Sequence, residues 1–402
     1  MGLLTDNPQP AEASAKTPDA PEVLAVVTDA DSLETLKEIA AQEKAVSMRV
    51  VRGGIRDTAK ILKKLPQSPR LLIVDISGVD LPLTEVDALA DACEPSVQVV
   101  VVGDNADMGL FRELMRLGVS DYLVKPLFAD LIVPHLLATN GARVQGSRTG
   151  KVVALCGTRG GVGATTVAAS MASILSSVHH RRVLLIDLDP YGGALRVQLG
   201  VEAGGLMEAL DNVDELDSLF LERTLAVHGP RLYVLADDQD ITTDPRIDLA
   251  ALEKLLQALE QQFHYIIVDV PGHQGRVAAT VLQRAAMRIL VSDRTVASAR
   301  ELTRLLTAID GTGGRTMLLL NDTRPGGEGL AKQQMIEESI DRPFNLAIPF
   351  DKGLARAADN LGVPAAEGRG GFADSMRTLS GLLIGKPAKK TGRRWLRWGR
   401  DG

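Results

Sequence analysis

The sequence predicts an α/β protein made of two doubly wound domains, each with a mostly parallel sheet covered by helices on both faces. Apolar runs of strand length alternate with segments of helical periodicity along most of its 402 residues. Aromatic residues make up only 3% of the chain, so Val, Leu, Ile and Ala must fill the cores, as is typical of buried parallel strands. A glycine-rich segment also joins one predicted strand to the next helix, which is where such domains bind phosphates.

Changes in composition divide the chain into five segments. Residues 1–21 lack apolar periodicity and are expected to be disordered. A first α/β domain is predicted over residues 22–137, followed by a polar, glycine-bearing linker over residues 138–150. A second α/β domain is predicted over residues 151–385, and a basic tail over residues 386–402.

Both predicted domains show several strand-length runs. In the first domain the runs lie at 23–27, 70–75, 97–102 and 121–126. In the second they lie near 152–156, 183–187, 232–236, 265–270, 288–292, 316–321 and 346–349, with helical patterns such as 249–262 and 297–310 between them. This alternation predicts mostly parallel sheets.

Hydropathy and cysteine usage indicate the compartment. No signal peptide or membrane-length apolar run is found in the sequence, which predicts a cytoplasmic protein. The two cysteines, Cys93 and Cys156, fall in different predicted domains, so we expect no disulfide between them.

The glycine-rich segment reads Thr158-Arg-Gly-Gly-Val-Gly-Ala-Thr-Thr166. Its glycines let backbone N–H groups point at phosphate oxygens, and a helix beginning near Thr165 adds the positive end of its dipole. Ala164 stands where such a loop normally carries a lysine. A tight glycine turn is the alternative for such a segment taken alone, but the strand-and-helix context favours a nucleotide phosphate as the ligand.

Three carboxylates follow two of the apolar strands of the second domain. Asp187 and Asp189 end one strand, and Asp269 ends another. Because the carboxyl ends of parallel strands line one crevice, these carboxylates are expected to converge on the Thr165 hydroxyl and a magnesium ion.

Over residues 150–385 the chain resembles the MinD/ParA group of deviant Walker A ATPases. The resemblance rests on the loop, on Asp187-Leu-Asp-Pro190, on the segment Val-Asp-Val-Pro-Gly that ends at Gly272, and on Leu320-Asn-Asp322. Ala347-Ile-Pro-Phe-Asp351 and Gly362-Val-Pro364 also look like the adenine-side loops of that group.

The resemblance implies ATP and Mg²⁺ as cofactors and an ATP-sandwiched homodimer. Arg159 occupies the place of the group's signature lysine, which reaches the partner's phosphates. Asp187 and Asp269 would hold Mg²⁺ through water, Asp189 would orient the attacking water, and Asn321 would contact adenine. The residues expected to bind ATP are Arg159, Gly160, Gly161, Val162, Gly163, Ala164, Thr165, Thr166 and Asn321, and those expected to act in catalysis are Asp189 and Arg159.

Ala164 affects the predicted chemistry more than the predicted fold. The missing ammonium would have neutralised charge that builds up during phosphoryl transfer, whereas backbone amides and magnesium still provide much of the ground-state binding. We therefore expect ATP to bind and hydrolysis to be slow or absent. Because a guanidinium is permanently charged, Arg159 offers a partial rescue across the dimer.

The first domain resembles a two-component receiver, a flavodoxin-like domain, over its full length. The resemblance implies that Asp75 is the phosphoacceptor, Lys125 its partner and Asp29 a magnesium ligand. Thr28 replaces one member of the usual acidic pair. Gly103 stands where a receiver has a hydroxyl-bearing residue whose donor moves the switch loop on phosphorylation. These two departures favour a structural docking module over a phosphorylated receiver.

The tail carries concentrated positive charge. It holds seven Lys and Arg residues and one Asp, a net charge of +6 on a chain whose net charge is −6. Trp395, Leu396 and Trp398 lie among these charges, and indoles suit a bilayer interface whose anionic head groups attract Lys and Arg. This pattern favours a peripheral membrane contact; a solubilising tail or a nucleic-acid arm stays open as the alternative.

An atypical receiver ahead of a degenerate MinD/ParA ATPase resembles the TadZ/CpaE family of pilus assembly localisation proteins. That resemblance implies a dimer that places the Tad-type (Flp) pilus machinery at a polar focus in the cell. Two alternatives remain. One is an active ATPase of the division-site or partitioning type, which a lysine at position 164 would have favoured. The other is a response regulator with an ATPase-like output domain.

Overall fold

The computed structural model describes residues 21–43, 46–65, 68–90, 92–137, 149–191, 193–202, 205–216, 218–272, 275–324, 331–353 and 369–385. The chain divides into two compact units. The first unit holds the described residues up to Val86 and those from Val97 to 137; the second holds Asp87–Ser96 and those from 149 onward. The predicted tails at 1–20 and 386–402, with Trp395, Leu396 and Trp398, lie outside the described residues, as do most of the predicted linker and the Gly362–Pro364 loop.

The first unit alternates strands and helices along the sequence. Among its described residues the strands are Val23–Val27 (β1), Met48–Arg52 (β2), Leu71–Asp75 (β3), Gln98–Gly103 (β4) and Asp121–Val124 (β5). The helices are Ala30–Gln42 (α1), Ile55–Lys64 (α2), Pro82–Ala90 (α3), Met108–Arg116 (α4) and Ala129–Leu137 (α5), and the division between the units falls within α3, after Val86. The strands form one parallel sheet in the order β2-β1-β3-β4-β5, which is the flavodoxin-like order.

Every residue of β1 and β3 is buried. These two strands lie in the interior of the sheet, where helices cover both faces, so their side chains have no solvent-facing side. Leu36 of α1 and Ile132 of α5 pack in one core cluster with Ile73 of β3. Asp75, the last residue of β3, therefore lies at the carboxyl edge of a well-packed sheet.

The second unit has the same alternation on a larger scale. Its strands among the described residues are Lys151–Gly157 (β6), Val183–Asp187 (β7), Ala226–Gly229 (β8), Leu232–Leu235 (β9), Tyr265–Val270 (β10), Met287–Ser292 (β11), Arg315–Asn321 (β12) and Leu346–Ile348 (β13). The helices are Ala164–Ser177 (α6), Ala194–Leu199 (α7), Leu206–Asp211 (α8), Ser218–Thr224 (α9), Leu249–Leu259 (α10), Arg276–Arg284 (α11), Val296–Ala308 (α12), Gln333–Ile340 (α13) and Gly371–Leu383 (α14), with a 3₁₀ turn at Val213–Glu215.

These strands form one sheet in the order β13-β12-β11-β6-β10-β7-β9-β8. All its strand pairs are parallel except β8 with β9, which is antiparallel. The carboxyl ends of β6, β7 and β10 are therefore neighbours at one edge, because β10 pairs with both β6 and β7. The predicted α/β class with mostly parallel sheets is confirmed.

The two faces of this sheet build two separate cores. In β10, Ile266 and Val268 pack into one cluster, whereas Ile267 packs into the other. Alternate residues of a strand point to opposite faces, so a continuous apolar run fills both cores at once. Helix α6 belongs to the second cluster and is buried almost throughout its length. Its small residues let it lie close to the sheet, and this packing fixes where α6 begins.

Two strands were not expected from the sequence. The residues of β2 are intermediate or exposed and those of β8 are mostly intermediate, and both strands lie at sheet edges. Their apolar signal is accordingly weaker than that of the interior strands. Within the described part of the chain, no helix combines the length and apolar character needed to cross a membrane.

Candidate nucleotide-binding site

The phosphate loop of the second unit runs from the end of β6 to the start of α6. Gly161 and Gly163 adopt positive φ angles of 73° and 89°, which L-residues with side chains rarely adopt. Gly163 is the residue that caps α6, and Ala164 is the first residue of that helix. The backbone of Thr158 is tied to the neighbouring strand by an N–H···O bond of 2.9 Å to Val291. The loop therefore presents a helix N-terminus of the kind that binds anions.

Asn321 braces this loop from the end of β12. Its side chain is buried and donates a hydrogen bond of 2.8 Å to the carbonyl of Val162. A Cβ atom at Gly163 would lie 2.6 Å from the Asn321 Nδ2 atom, so glycine is required there for space as well as for φ. The structure thus places Asn321 against the phosphate loop, and its expected contact with adenine stays a prediction.

Asp187 and Asp269 lie side by side at the carboxyl ends of β7 and β10, where they are register partners. Both are buried. The Thr165 side chain hydrogen-bonds the Asp269 carboxylate, which joins the first turn of α6 to this edge. The backbone N–H of Asp189 donates to Asp187 Oδ1 at 3.0 Å. The structure therefore brings together the four residues that the sequence predicts around a magnesium ion.

These carboxylates carry an unusual charge state. Burial, together with the charges of Asp187 and Asp189, raises the pKa of Asp269 to about 7, although the bond from Thr165 acts in the opposite direction. Burial also raises the pKa of Asp187 to about 6, with a contribution from the charge of Asp189. Repulsion between desolvated carboxylates favours whatever adds positive charge, either a proton or a cation.

A divalent cation fits this edge. Asp187 Oδ2 is buried and has no hydrogen-bond partner among the described residues, so it is free to accept a metal-bound water or a metal. No group of three or more His, Cys, Asp and Glu side chains in the described residues could hold a metal ion by itself. A Mg²⁺ ion here would thus need oxygen atoms from the Thr165 hydroxyl, from water and from the nucleotide phosphates.

Arg159 does not extend away from its own chain. Its guanidinium forms an ion pair with Asp293, with Nε 2.9 Å from Oδ2 and Nη2 on the same oxygen, and Nη1 donates to the Gly160 carbonyl at 2.8 Å. Asp293 was missed by the analysis of the sequence. It directly follows β11, the strand beside β6, so the rule that found Asp187 and Asp269 at strand ends would also have found it.

Two further predicted residues lie in the same region with modest contacts. Thr166 accepts a hydrogen bond of 3.3 Å from Gln198 of α7. Ala164 lies close to Gly157, since a Cβ on that glycine would be 3.1 Å from the Ala164 Cβ. The position that would normally hold the lysine is thus an ordinary start to a helix.

The receiver-like residues of the first unit are hydrogen-bonded and ion-paired with one another. Asp75 is fully buried, and its Oδ2 accepts from the Thr28 hydroxyl at 2.6 Å, the Thr28 N–H at 2.9 Å and Lys125 Nζ at 2.6 Å. Its Oδ1 accepts from the Ser77 N–H at 2.8 Å. Lys125 also pairs with Asp29 at 2.5 Å. The predicted trio of Asp29, Asp75 and Lys125 is therefore brought together, with Thr28 as a fourth member.

Hydrogen bonding dominates the charge state of Asp75. Burial by itself would raise the pKa of this carboxyl, but bonds from Lys125, Ser77 and Thr28 outweigh burial and hold the pKa below its ordinary value. An ionised carboxylate that is satisfied on both oxygens has little capacity for a further ligand.

Gly103 leaves room for a tyrosine ring. The Tyr122 side chain is buried, and its hydroxyl donates to the Asn105 carbonyl at 2.7 Å. A Cβ at position 103 would overlap the Tyr122 hydroxyl and lie 2.9 Å from Cε2. The absent hydroxyl side chain at this strand end is thus replaced by an inward-packed phenol.

Known proteins are similar to the second unit in sequence and fold. The AAA domain family model matches residues 150–317. The maintenance of carboxysome distribution protein A of Gloeobacter kilaueensis is 30% identical over 208 residues, which cover 52% of this chain and 81% of that protein. This chain therefore belongs to the MinD/ParA-like ATPase family. The sporulation initiation inhibitor protein Soj of Bacillus subtilis is 31% identical over 140 residues, 33% of this chain, and the chain spans about half of its length, 54%.

Solved structures agree on the fold. The ParA family ATPase from Chlorobium tepidum superposes with a TM-score of 0.53 at 21% identity, covering 58% of this chain and 98% of that one. The pilus assembly protein CpaE from Caulobacter crescentus is 31% identical over 28% of this chain and 88% of its own, with a TM-score of 0.27.

The raised pKa of Asp269 predicts a pH-dependent stability. Its folded pKa of about 7 lies above its ordinary value of 3.8, so the stabilisation is fully present below about pH 4 and is lost as the pH rises from there to about 7. The stability of Asp269→Asn relative to the native chain should therefore rise between pH 5 and pH 8, by on the order of 2 to 3 kcal/mol. Thermal unfolding of both forms at the two pH values measures this difference.

The exposed Asp310 provides the control, since Asp310→Asn should alter stability equally at both pH values. Magnesium-ATP should stabilise the native chain at pH 8 more than the Asp269→Asn chain. Equal stability of the native and Asp269→Asn chains at pH 8 would show that ionisation of Asp269 does not destabilise the folded chain.

The packing of Tyr122 predicts a cost for any side chain at position 103. Gly103→Ala should destabilise the first unit by about 1–3 kcal/mol, because the new methyl group overlaps a buried ring. Gly229→Ala is the control, since a Cβ at 229 meets nothing within 4 Å. Urea unfolding decides the point, and an unchanged midpoint for Gly103→Ala would mean that the ring is free to move aside.

Proposed function

We propose that this chain is an ATP-binding, dimerising localisation factor for Tad/Flp-type pilus assembly, with slow or absent ATP hydrolysis. The observation that carries the proposal is the contrast at the start of α6. Thr165, Asp187 and Asp269 are assembled as a phosphate-and-magnesium site requires, whereas Ala164 supplies no cation.

Binding and hydrolysis make different demands on such a site. Ground-state ATP needs the backbone donors of the loop, the start of α6 and a magnesium ion. The positive φ angles of Gly161 and Gly163 and the register of Asp187 with Asp269 support the proposal that this site binds ATP and magnesium. Transfer of the γ-phosphoryl group also needs positive charge at the phosphate oxygens, which a lysine at position 164 would have supplied. In this proposal the site therefore binds ATP as a switch that controls dimerisation, and it does not turn ATP over rapidly.

A homodimer would bring a second cation to each nucleotide. Arg159 is the candidate, because it lies at the start of the loop and keeps its charge at all relevant pH values. Membership of the MinD/ParA-like family supports this part of the proposal. Within its own chain the same guanidinium is engaged by Asp293.

The first unit would supply the cellular address. Its Asp75 is buried and satisfied by Thr28, Ser77 and Lys125, which favours a docking module over a phosphorylated switch. The combination of such a unit with a loop lacking its lysine is what resembles the TadZ/CpaE family. This combination supports the pilus machinery as the partner.

An active ATPase of the division-site or partitioning type is the second candidate. The intact Thr165, Asp187 and Asp269 favour it, and Ala164 speaks against it. A response regulator with an ATPase-like output is a third candidate; the satisfied Asp75 and the packed Gly103 speak against that one.

The first test is turnover. Magnesium-ATP should bind the native chain with phosphate release near background, and Ala164→Lys should raise phosphate release about 10²-fold, because the new ammonium reaches the phosphates. Ala164→Met is the matched control, since it adds similar length without charge and should not raise the rate. Rapid phosphate release by the native chain would exclude the binding-switch proposal and favour the active ATPase.

The second test is localisation. A fluorescent fusion should form a focus in cells that have the pilus genes and lose it in cells without them. Asp75→Asn should leave the focus unchanged, because the proposal gives Asp75 no phosphoryl group to accept. Imaging of the three strains at matched expression measures this.

A surface variant distinguishes docking from a phosphoswitch. Phe128 is 55% exposed on the first unit, and Phe128→Ser should weaken the focus if that unit docks by its apolar surface. Ile241→Ser, on the second unit, is the control for loss of an exposed apolar side chain. Loss of the focus with Asp75→Asn alone would favour the response regulator.

A further inference from the structure

The contact between Arg159 and Asp293 occupies most of the guanidinium. Nε and Nη2 both donate to Asp293 Oδ2, and Nη1 donates to the carbonyl of Gly160 at 2.8 Å. The Asp293 side chain is only 6% exposed, whereas that of Arg159 is 29% exposed. All three guanidinium nitrogens thus have a hydrogen-bond partner within their own chain, although the side chain is partly exposed.

Asp293 is held firmly in place. Its second oxygen, Oδ1, accepts hydrogen bonds from the Thr295 hydroxyl at 2.7 Å and from the Ser298 hydroxyl at 2.6 Å. Thr295 caps α12, and Ser298 is a buried residue of that helix. Because these bonds fix the carboxylate to a helix start, it cannot follow Arg159 if the arginine turns elsewhere.

The charge state of Asp293 agrees with this arrangement. Burial would raise the pKa of this carboxyl, but hydrogen bonds from Arg159, Ser298 and Thr295 outweigh it and keep the pKa below its ordinary value. Asp293 is thus an anion across the physiological range, and its pairing with Arg159 leaves the start of the loop with little net charge.

We propose that Asp293 is a positioning residue that holds Arg159 in cis at the phosphate loop and so sets the ATP concentration at which two copies of the chain associate. The inference rests on the proposed function, because a dimer requires Arg159 to exchange Asp293 for the phosphates bound by the partner. Each association event must break the ion pair and the bond to Gly160. The oxygen atoms of the incoming phosphates compete with one fixed carboxylate for one guanidinium.

The test replaces the carboxylate by its uncharged isostere. Asp293→Asn keeps an oxygen for Thr295 and Ser298 but removes the charge that holds Arg159. The ATP concentration for half-maximal dimer should fall about tenfold, as expected for the loss of one charge-assisted hydrogen-bonded pair. Light scattering or sedimentation of the full chain over a magnesium-ATP titration gives this midpoint.

Glu260→Gln is the matched control. Glu260 forms a two-point ion pair with Arg284 at 2.9 and 3.0 Å and is also largely buried, but it lies at the end of α10, outside the loop. The midpoint of the Glu260→Gln chain should equal that of the native chain. If the native chain dimerises with magnesium-ATP, an unchanged or higher midpoint for the Asp293→Asn chain would overturn the proposal.

Amide hydrogen exchange separates this inference from the proposed function. Without nucleotide, Asp293→Asn should speed exchange in the peptide over residues 158–163, because Arg159 no longer ties the loop to Asp293. Unchanged exchange would overturn the cis contact whatever the dimer does. A native chain that neither binds nor dimerises with magnesium-ATP would overturn the proposed function, and the exchange result would still decide the contact.

Discussion

Buried carboxylates at the ends of parallel strands are the constraint on which both units depend, and the charge beside each one determines what it can do. Asp75 has Lys125 within 2.6 Å and a lowered pKa. Asp269 has the carboxylates of Asp187 and Asp189 as its charged neighbours and a raised pKa. The same sheet geometry therefore gives a carboxylate neutralised by a neighbouring lysine in the first unit and a cluster of carboxylates without a neighbouring cation in the second. Only the second arrangement is stabilised by binding a cation.

The phosphate loop shows the complementary situation for positive charge. Ala164 begins α6 as a good helix former, so the loss of the lysine costs the fold nothing and removes only a charge from the site. Arg159 is the remaining cation of the loop, and Asp293 neutralises it. Under the proposed function, a nucleotide would meet a loop whose cationic side chain is already paired with Asp293, so that contact with this side chain would require the ion pair to rearrange.

Much of this could be predicted because parallel sheets have a simple sequence signal. Interior strands such as β3 and β10 read as continuous apolar runs, and the residue after each run falls at the functional edge. The edge strands β2 and β8 were missed because each has a solvent-exposed side and thus a mixed pattern. Two contacts could not be predicted: that of Asn321 with Val162, and that of Tyr122 with Gly103. Both depend on where a side chain points in three dimensions, and the spacing of residues along one sequence does not give this direction.

Family membership fixes the fold of the second unit but not its chemistry, because function depends on the site and not on the scaffold. In this chain the scaffold-determined parts are the register of Asp187 with Asp269 and the positive φ of Gly161 and Gly163. The parts that decide between a turnover enzyme and a binding switch are single side chains, Ala164 and the partner of Arg159. A change of one charge at either place alters the electrostatics of the loop while every strand and helix stays where it is.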